Sequence, residues 1–307
     1  MATSSRPAPA PRVLALFGPT ASGKTAVAAL LRDRLDAEVV SADSAALYAE
    51  LPILTAAPPY PSRLVGVVPL SDDVSVGAYQ QLAHAAIDEI ASEGRLPLVV
   101  GGTGLYLRAA IGELELPPRV APERRAFWNA EYERLGPEAA HEQLAAVDPE
   151  AAARVHANDR KRVVRALELV EAGASLAPVA DGLWSAETRL PTTVVALDVP
   201  LAELDRRIDA RTTGMLERGV VEEAARAWAT PRSRTASQVL GLEEFATLPE
   251  VEAAACVAQA TKRLARYQRK WLRRLPRVVT LDGARPAEEI ADEIVALERA
   301  GERLPRH

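Results

Sequence analysis

Cysteine, histidine and long apolar runs are scarce in this chain of 307 residues. Its single cysteine, Cys256, excludes a disulfide within the chain. Together with the lack of a secretory signal, this predicts a reducing, cytoplasmic setting. No apolar run approaches the ~18 residues that span a bilayer, which argues against a membrane role. The four histidines stand far apart in the sequence, so no cluster of Cys and His predicts a zinc site.

Acidic residues are missing from one part of the chain. No Asp or Glu occurs between Glu252 and Asp282, whereas the segment "KRLARYQRKWLRRLPR", Lys262 to Arg277, is dense in Arg and Lys. The net charge of −5, taken alone, argues against a nucleic-acid-binding protein. A local basic cluster can nevertheless bind phosphates whatever the net charge is. The sequence therefore leaves a nucleic-acid partner open.

Strand and helix patterns alternate along much of the chain. Short apolar runs bounded by Gly, Pro or polar residues predict buried parallel strands at Val13–Phe17, Glu38–Ser41, Leu96–Val100 and Thr193–Asp198. Helices are predicted at Lys24–Leu35, Gly77–Glu93, Leu201–Trp228 and about Val251–Leu275. This order predicts an α/β fold, a doubly wound parallel sheet flanked by helices.

The stretch from about Pro117 to Leu190 breaks the alternation. It is rich in Ala, Arg and Glu with helical periodicity, and Gly173 can end the helix of "DRKRVVRALELVEAG". We therefore predict an inserted all-helical subdomain at residues 117–190, between two parts of a core domain at 12–116 and 191–307. Residues 1–11 are expected to form a disordered leader.

The segment "GPTASGKT", Gly18 to Thr25, follows the first predicted strand. Gly18 and Gly23 allow a tight turn that points successive backbone N–H groups inward, and the next helix directs its positive end at an anion. Lys24 can reach the outer phosphates, and the Thr25 hydroxyl can bind Mg²⁺. The pattern predicts a phosphate-binding loop, or P-loop. It does not say whether its phosphates belong to ATP or to another ligand.

Two further polar segments follow predicted strands, "SADS" (Ser41 to Ser44) and "GGTGLYL" (Gly101 to Leu107). Ligand-facing residues of open α/β sheets lie at such strand ends. Asp43 could accept a proton from a nucleophile or hold a metal, or it could cap a helix. The glycines and the Thr103 hydroxyl could complete a ligand site or serve only close packing. No acid pair follows an apolar strand in the manner of a Walker-B ATPase.

Six motifs occur together in an order that resembles the tRNA dimethylallyltransferases, from about residue 13 to residue 282. They are "GPTASGKT", "SADS" with Tyr48, "GGTGLYL", "NDRKRVVRALELVEAG", "RRIDARTTGMLERGVVEEA" and "YQRKWLRR". That family transfers a dimethylallyl group from dimethylallyl diphosphate to N6 of adenosine 37 in tRNAs that read codons beginning with U. The resemblance implies a P-loop that holds the pyrophosphate of the prenyl donor, not ATP used as a phosphoryl donor.

The resemblance also implies roles for individual residues. Asp43 would be the general base for the adenine amine, which is a poor nucleophile until its proton is accepted. Thr103 would contact the diphosphate and the reaction centre, and Arg125 and Arg211 would offset the charge of the departing pyrophosphate. Thr25 would hold Mg²⁺. The diphosphate-binding residues would be Gly18, Pro19, Thr20, Ala21, Ser22, Gly23, Lys24 and Thr25.

The implied macromolecular partner is the anticodon stem-loop of tRNA, whose target base would be swung out of its stack. Three segments would contact it. They are Asp43, Ser44, Ala45 and Ala46; Lys161, Arg162, Val163, Val164 and Arg165; and Arg266, Gln268, Arg269, Lys270 and Arg273. The alternative for each basic segment is a solvated helix face. A monomer without a membrane partner is expected.

Residues 45–63 depart from the family pattern, which carries a basic residue, glycines, a lysine and a His-His pair in this segment. Here the corresponding positions are Ala49, Glu50, Leu54, Ala57 and Ser62-Arg63.

Three other functions stay open at this stage. An adenylate isopentenyltransferase would prenylate a free nucleotide, and the basic 262–277 segment argues against it. A P-loop small-molecule kinase would transfer a phosphoryl group from ATP. A protein that binds RNA without catalysis would retain the basic segments and lack turnover.

Overall fold

The computed structural model describes residues 12–116, 118, 120–176 and 185–301. The expected leader at residues 1–11 lies outside the described residues. In the described part of the chain, no helix combines the length and the apolar character needed to cross a membrane.

Six parallel strands form one sheet in the order β3-β2-β4-β1-β5-β6. The strands are β1 Val13–Phe17, β2 Ala37–Ser41, β3 Ser62–Arg63, β4 Leu96–Gly101, β5 Thr192–Asp198 and β6 Val278–Asp282. All five residues of β1 are buried, as expected for a central strand covered on both faces. The predicted fold class, a parallel sheet flanked by helices, is confirmed.

The described residues form twelve α-helices. They are α1 Lys24–Leu35, α2 Val76–Ser92, α3 Gly104–Ile111, α4 Pro122–Leu135, α5 Pro137–Val147, α6 Pro149–Ala152, α7 Arg160–Glu171, α8 Leu201–Glu217, α9 Val220–Trp228, α10 Leu242–Thr247, α11 Glu250–Leu272 and α12 Ala287–Gly301.

The prediction of one continuous helix over Leu201–Trp228 is wrong, because the structure has two helices there, α8 and α9. Gly219 lies between them with φ 83°, a left-handed conformation that favours glycine and ends a helix. Each helix has helical spacing of its own apolar positions, Leu204, Ile208 and Met215 in α8 and Val220, Ala224 and Ala227 in α9, so both segments were predicted as helix.

The two edge strands were not predicted. β3 has only two residues, and both are polar. Its Arg63 pairs with Glu38 on β2 at 2.5 Å and with Glu89, so the departure from the family pattern at this position has a structural use. β6 is partly exposed and leaves Val279 at the surface, which weakens the apolar signal of an edge strand.

The described residues group into two compact units. One contains the sheet and takes in the described residues up to Glu113 and from 185 onward; the other is helical and lies between 114 and 176. Residues 185–190, which the sequence placed in the insert, group with the sheet unit. The amide of Arg189 donates to the Ile111 carbonyl, and its guanidinium pairs with Asp88 at 2.8 Å.

Each unit has its own apolar core. In the sheet unit, Leu14 and Leu16 of β1 are fully buried beneath α1 and α12. In the helical unit, Val163 and Leu167 of α7 pack with Tyr132 of α4 and Leu144 of α5. α7 ends where Gly173 takes a φ of 73°, as the sequence predicts.

The altered segment after β2 is anchored to α9. Leu51 and Leu54 are buried in a cluster with residues of α9 and α10. Glu223 of α9 is 3% exposed, and its carboxylate accepts hydrogen bonds from the amides of Ile53 at 2.9 Å and Leu54 at 2.8 Å. The carboxylate therefore satisfies two backbone donors that would otherwise be buried without a partner.

Replacing this carboxylate is expected to destabilise the fold. Glu223→Ala leaves the amides of Ile53 and Leu54 without their acceptor, and each lost partner in a buried place is costly, so we expect a loss of about 2–4 kcal/mol in the free energy of unfolding. Urea denaturation of the whole chain measures it. Glu222→Ala, an exposed neighbour on the same helix, is the control and should cost about 0.5 kcal/mol or less. Equal losses in the two variants would contradict the anchoring.

Candidate active site

The P-loop leaves the sheet at the carboxyl end of β1 and runs into α1, which begins at Lys24. Gly23 has φ 91° and Ala21 has φ 63°, so two residues of the loop adopt left-handed conformations. Gly18 is tightly enclosed, since a Cβ there would lie 2.6 Å from Ser22 Oγ. The loop therefore has the compact backbone path that the glycine spacing predicts.

Lys24 folds back over the P-loop. Its Nζ donates to the Pro19 carbonyl at 2.7 Å and lies 3.5 Å from Ser22 Oγ. Burial lowers the pKa of the Lys24 ammonium to about 8; Asp43 opposes the shift and Arg211 adds to it. An ammonium whose charged form is disfavoured is suited to receive an anion, which would restore the charged form.

A cleft of about 430 Å³ opens over the P-loop within the sheet unit. Its wall is built from three strand ends and from α8 and α11. The charged and polar lining residues include Thr20, Ser22, Lys24, Thr25, Ser41, Asp43, Arg207, Arg211 and Gln268, and its apolar lining includes Ala46, Ala56, Pro58 and Tyr60. The cleft thus brings together the P-loop, Asp43 and Arg211, which are far apart in the sequence.

Arg211 on α8 brings a cation to this cleft. Its Nε is buried and has no hydrogen-bond partner among the described residues. Burial lowers the pKa of the Arg211 guanidinium, and Asp43 partly offsets the shift. A buried donor without a partner is costly, so an anionic ligand at this place would be stabilised.

Arg207, one helical turn before Arg211, was missed in the sequence. It pairs with Glu203 at 2.6 Å and its Nη1 lies 3.4 Å from the Ala21 carbonyl of the P-loop. The spacing of the two arginines at i and i+4 in "RRIDARTT" was an available signal, because it puts both on one helix face. Arg207 therefore supports the loop from the side of α8.

Asp43 follows β2 and lines the cleft. Its Oδ1 accepts a hydrogen bond from the Ala45 amide at 3.0 Å, so the side chain caps a turn and no helix begins there. In the described part of the chain no hydrogen bond reaches its Oδ2. One carboxylate oxygen is therefore fixed by the turn and the other is available to accept a proton.

The negative charge of Asp43 helps to raise the pKa of two tyrosines, Tyr79 and Tyr106. The rings of Tyr79 and Tyr106 are in contact, with centroids 4.6 Å apart and planes tilted by 48°, and the Tyr79 hydroxyl donates to the Ser41 carbonyl at 3.0 Å. Burial is the main cause that raises the pKa of Tyr106 to about 12 and also raises that of Tyr79. The raised pKa keeps both phenols neutral.

The second glycine loop packs closely against α11 and also lines the cleft. Gly104 provides close packing, because a Cβ there would overlap the Trp271 ring of α11. Gly101 and Gly102 line the cleft beside the P-loop. Thr103 precedes α3, and its hydroxyl makes no capping bond to that helix. Thr103 itself is not among the residues that line the cleft, so its contact with the diphosphate stays a prediction.

The basic segment of α11 is divided between inward and outward residues. Gln268, expected on the RNA side, is 5% exposed and accepts a hydrogen bond from the Thr20 amide at 2.8 Å. Arg269 pairs with Asp198 through both carboxylate oxygens, and Arg266 pairs with Asp205 at 2.6 Å. Lys270 and Arg273 are exposed. Among the five expected tRNA contacts on this helix, the last two present the most available charge.

The helical unit carries the remaining basic residues. Lys161 and Arg162 of α7 are exposed, but Val163 and Val164 are buried in the core of this unit, so their side chains do not reach its surface. The reason is the helical period, which turns these two positions inward. Ser44, Ala45 and Ala46 lie in the sheet unit after β2, where Ala46 is 5% exposed.

Arg125 also belongs to the helical unit. It pairs there with Glu168, whose carboxylate is 0% exposed on its side chain, at 2.7 Å, and Arg165 pairs with the other carboxylate oxygen at 3.0 Å. Burial works against the charged form, yet the two arginines lower the pKa of Glu168. The role of Arg125 at a pyrophosphate stays a prediction.

Comparison with known proteins places these features in a family. The IPP transferase family model matches residues 46–275. The tRNA dimethylallyltransferase of Streptomyces avermitilis is 43% identical over 294 residues, which covers 92% of this chain and 93% of the relative. That of Acidothermus cellulolyticus is 40% identical over 302 residues, covering 91% and 92%.

Two solved structures are also similar. The full-length tRNA isopentenylpyrophosphate transferase of Bacillus halodurans has a TM-score of 0.68 and 30% identity, and covers 95% of this chain and 96% of its own. A eukaryotic dimethylallyltransferase acting on tRNA has a TM-score of 0.72 at 23% identity, covering 94% of this chain and 77% of its own, and supports the fold alone.

A parallel sheet whose central strand runs into a P-loop and a cationic cleft defines a phosphate-binding α/β protein of the P-loop class. The family model covers most of the chain, and the Streptomyces and Acidothermus relatives are 40% identical or more, so the protein can be assigned to one family within this class. The chain belongs to the IPP transferase family, that of the tRNA dimethylallyltransferases.

A divalent metal is compatible with the residues of the cleft. The described residues contain no group of three or more His, Cys, Asp or Glu that could hold a metal ion by themselves. Mg²⁺, however, is commonly bound through one or two protein oxygens, water and substrate phosphates. The Thr25 hydroxyl, which is exposed, and the Asp43 carboxylate lie in the same cleft and fit such a site.

The pKa of Lys24 predicts how the affinity for a diphosphate depends on pH. Lys24 loses its proton as the pH rises through about 8, so pyrophosphate should bind the free enzyme about tenfold more weakly one unit above that pKa. Calorimetric titration with pyrophosphate at several pH values measures this. The Lys24→Arg variant is the control, because its side chain stays charged over the whole pH range. At each pH, the dissociation constant of the wild type is divided by that of the variant. This ratio removes the effect of the protonation of pyrophosphate itself, which is the same for both proteins. A ratio that does not change with pH would contradict the assignment.

Proposed function

We propose that this protein transfers the dimethylallyl group of dimethylallyl diphosphate to N6 of adenosine 37 in tRNAs that read codons beginning with U, and releases pyrophosphate. The observation that carries the proposal is one cleft that combines Lys24, Arg211 and Asp43. Two cations at one end suit a diphosphate, and the carboxylate suits the proton of the nucleophile. The named relatives supply the chemistry of the donor and the acceptor.

The P-loop receives the diphosphate of the donor. Backbone amides at the start of α1 and the Lys24 ammonium bind its oxygens, and Arg211 offsets the charge that grows as the C–O bond breaks. Thr103, beside Gly102, contacts the same group. Thr25, together with phosphate oxygens, would hold Mg²⁺, which would supply further positive charge. The electron pair of the broken bond leaves on the pyrophosphate.

Asp43 accepts the proton of the nucleophile. As N6 of adenine forms its bond to the prenyl carbon, the nitrogen becomes positively charged and its proton passes to Asp43 Oδ2. Oδ1 is held by the Ala45 amide, so the carboxylate has a fixed orientation.

The RNA partner is bound through exposed cations. Charge for the phosphates comes from Lys270 of α11 and Arg273 directly after it in the sheet unit, and from Lys161 and Arg162 of α7 in the helical unit. Arg125 is proposed, from the family resemblance, to act on the departing pyrophosphate. We also propose a cytoplasmic setting, which the low cysteine content supports, and a monomeric enzyme.

The transfer and the role of Asp43 are tested together. The enzyme is incubated with dimethylallyl diphosphate, Mg²⁺ and unmodified tRNA, and the nucleosides are analysed by mass. We expect prenylated adenosine from the wild type and a loss of at least about a hundredfold in rate for Asp43→Asn, because the amide keeps the turn but accepts no proton. The tRNA dissociation constant should be unchanged. Product only from free AMP, or phosphoryl transfer from ATP, would overturn the proposal.

The salt dependence of tRNA binding tests the surface of α11. Each phosphate contact contributes about 0.7–0.9 to the slope of log K against log salt, so Lys270→Ala with Arg273→Ala should reduce the slope by about 1.5. The control pair Arg226→Ala with Arg234→Ala also removes two exposed cations. Filter binding at several salt concentrations measures the slopes. Equal changes in both pairs would place the RNA elsewhere.

A further inference from the structure

Gln268 is a buried polar side chain that the family role on α11 does not explain. Its Oε1 accepts a hydrogen bond from the Thr20 amide at 2.8 Å, across 248 positions of sequence. Only 5% of the residue is exposed, so its side chain faces the sheet unit and not the solvent. A buried amide of this kind is kept in place by its partners.

The same turn of α11 is packed closely against both glycine loops. A Cβ on Gly102 would lie 2.8 Å from Gln268 Nε2 and 2.8 Å from the Gly18 carbonyl, so the amide group sits where the two loops meet. One turn further, Trp271 covers Gly104 so closely that a Cβ there would overlap its ring. Gln268 and Trp271 therefore pack against the two glycine loops at the edge of the sheet.

The P-loop needs such support at one particular residue. Ala21 has φ 63°, a left-handed conformation that costs roughly 1–2 kcal/mol for a residue with a Cβ. Strained residues persist where their surroundings fix them. Gln268 accepts a hydrogen bond from the amide of Thr20, the residue before Ala21. Arg207 Nη1 lies 3.4 Å from the carbonyl oxygen of Ala21 itself. The strained residue is thus restrained on both sides by long-range contacts.

We propose that Gln268 is a positioning residue of the phosphate loop: it fixes the shape in which the loop binds a diphosphate, and it does not contact tRNA. The inference rests on the proposed function only in taking a diphosphate as the ligand. Its neighbours on the outer face, Tyr267 and Lys270, remain available to RNA because they are exposed.

Two variants remove the hydrogen bond in different ways. Gln268→Met keeps the length of the side chain without its acceptor, and Gln268→Asn keeps the amide but is one methylene too short to reach the Thr20 amide. We expect both to weaken the binding of inorganic pyrophosphate with Mg²⁺ by about three- to tenfold in calorimetry, as loss of a neutral hydrogen bond predicts. The KM for dimethylallyl diphosphate should rise more than kcat falls, and the dissociation constant of tRNA alone should stay within about twofold.

Gln259→Met is the matched control, since Gln259 is exposed on the same helix and should leave all three quantities unchanged. If either folded variant binds pyrophosphate as the wild type does, or if tRNA affinity falls instead, the positioning role is wrong. Should Gln268→Met fail to fold, Gln268→Asn decides. Absence of prenylated adenosine with the wild type would overturn the proposed function but leave this test intact, because pyrophosphate binding needs no transfer.

Discussion

The candidate site depends on the parallel pairing of β1 with β4, which brings two glycine-rich loops out of the sheet at the same edge. Phe17 lies opposite Gly101 in this pairing, and the Gly18 amide still donates to the Gly101 carbonyl at 3.3 Å beyond the last strand residue. On the other side of β4, the Ala42 amide donates to the Val100 carbonyl just before Asp43. The backbone itself therefore places the phosphate loop and the carboxylate side by side.

The electrostatic state of the cleft follows from this geometry. Lys24 and Arg211 both line the cleft, and burial disfavours the charge of both. Asp43 favours their charged forms, whereas Arg207, the third cation of the lining, is paired with Glu203. Such an arrangement costs stability in the free protein and is relieved when an anion of higher charge enters. Diphosphate, which carries more charge than a single phosphate, suits it well.

The sequence predicts what depends on local patterns. The P-loop, the first strand and the bounds of α1 follow from glycine spacing and from one apolar run, and they agree with the structure. The edge strands β3 and β6 did not show in the pattern, because a strand with one open side needs few apolar residues. The contribution of Arg207 to the cleft depends on how α8 packs on the sheet, and a pattern within the helix does not give that packing.

The position of Gln268 could be predicted from the sequence only in part. Thr261, Ala265, Gln268 and Trp271 are all buried, and they follow one another at intervals of three and four residues along α11. Helical periodicity thus places Gln268 on the inner stripe, although a glutamine among arginines suggests an outer, RNA-facing position. A polar residue on an apolar stripe needs a partner, and here the partner is a backbone amide of the phosphate loop. One helix therefore presents positive charge to the solvent on one face and supports the donor site with the other.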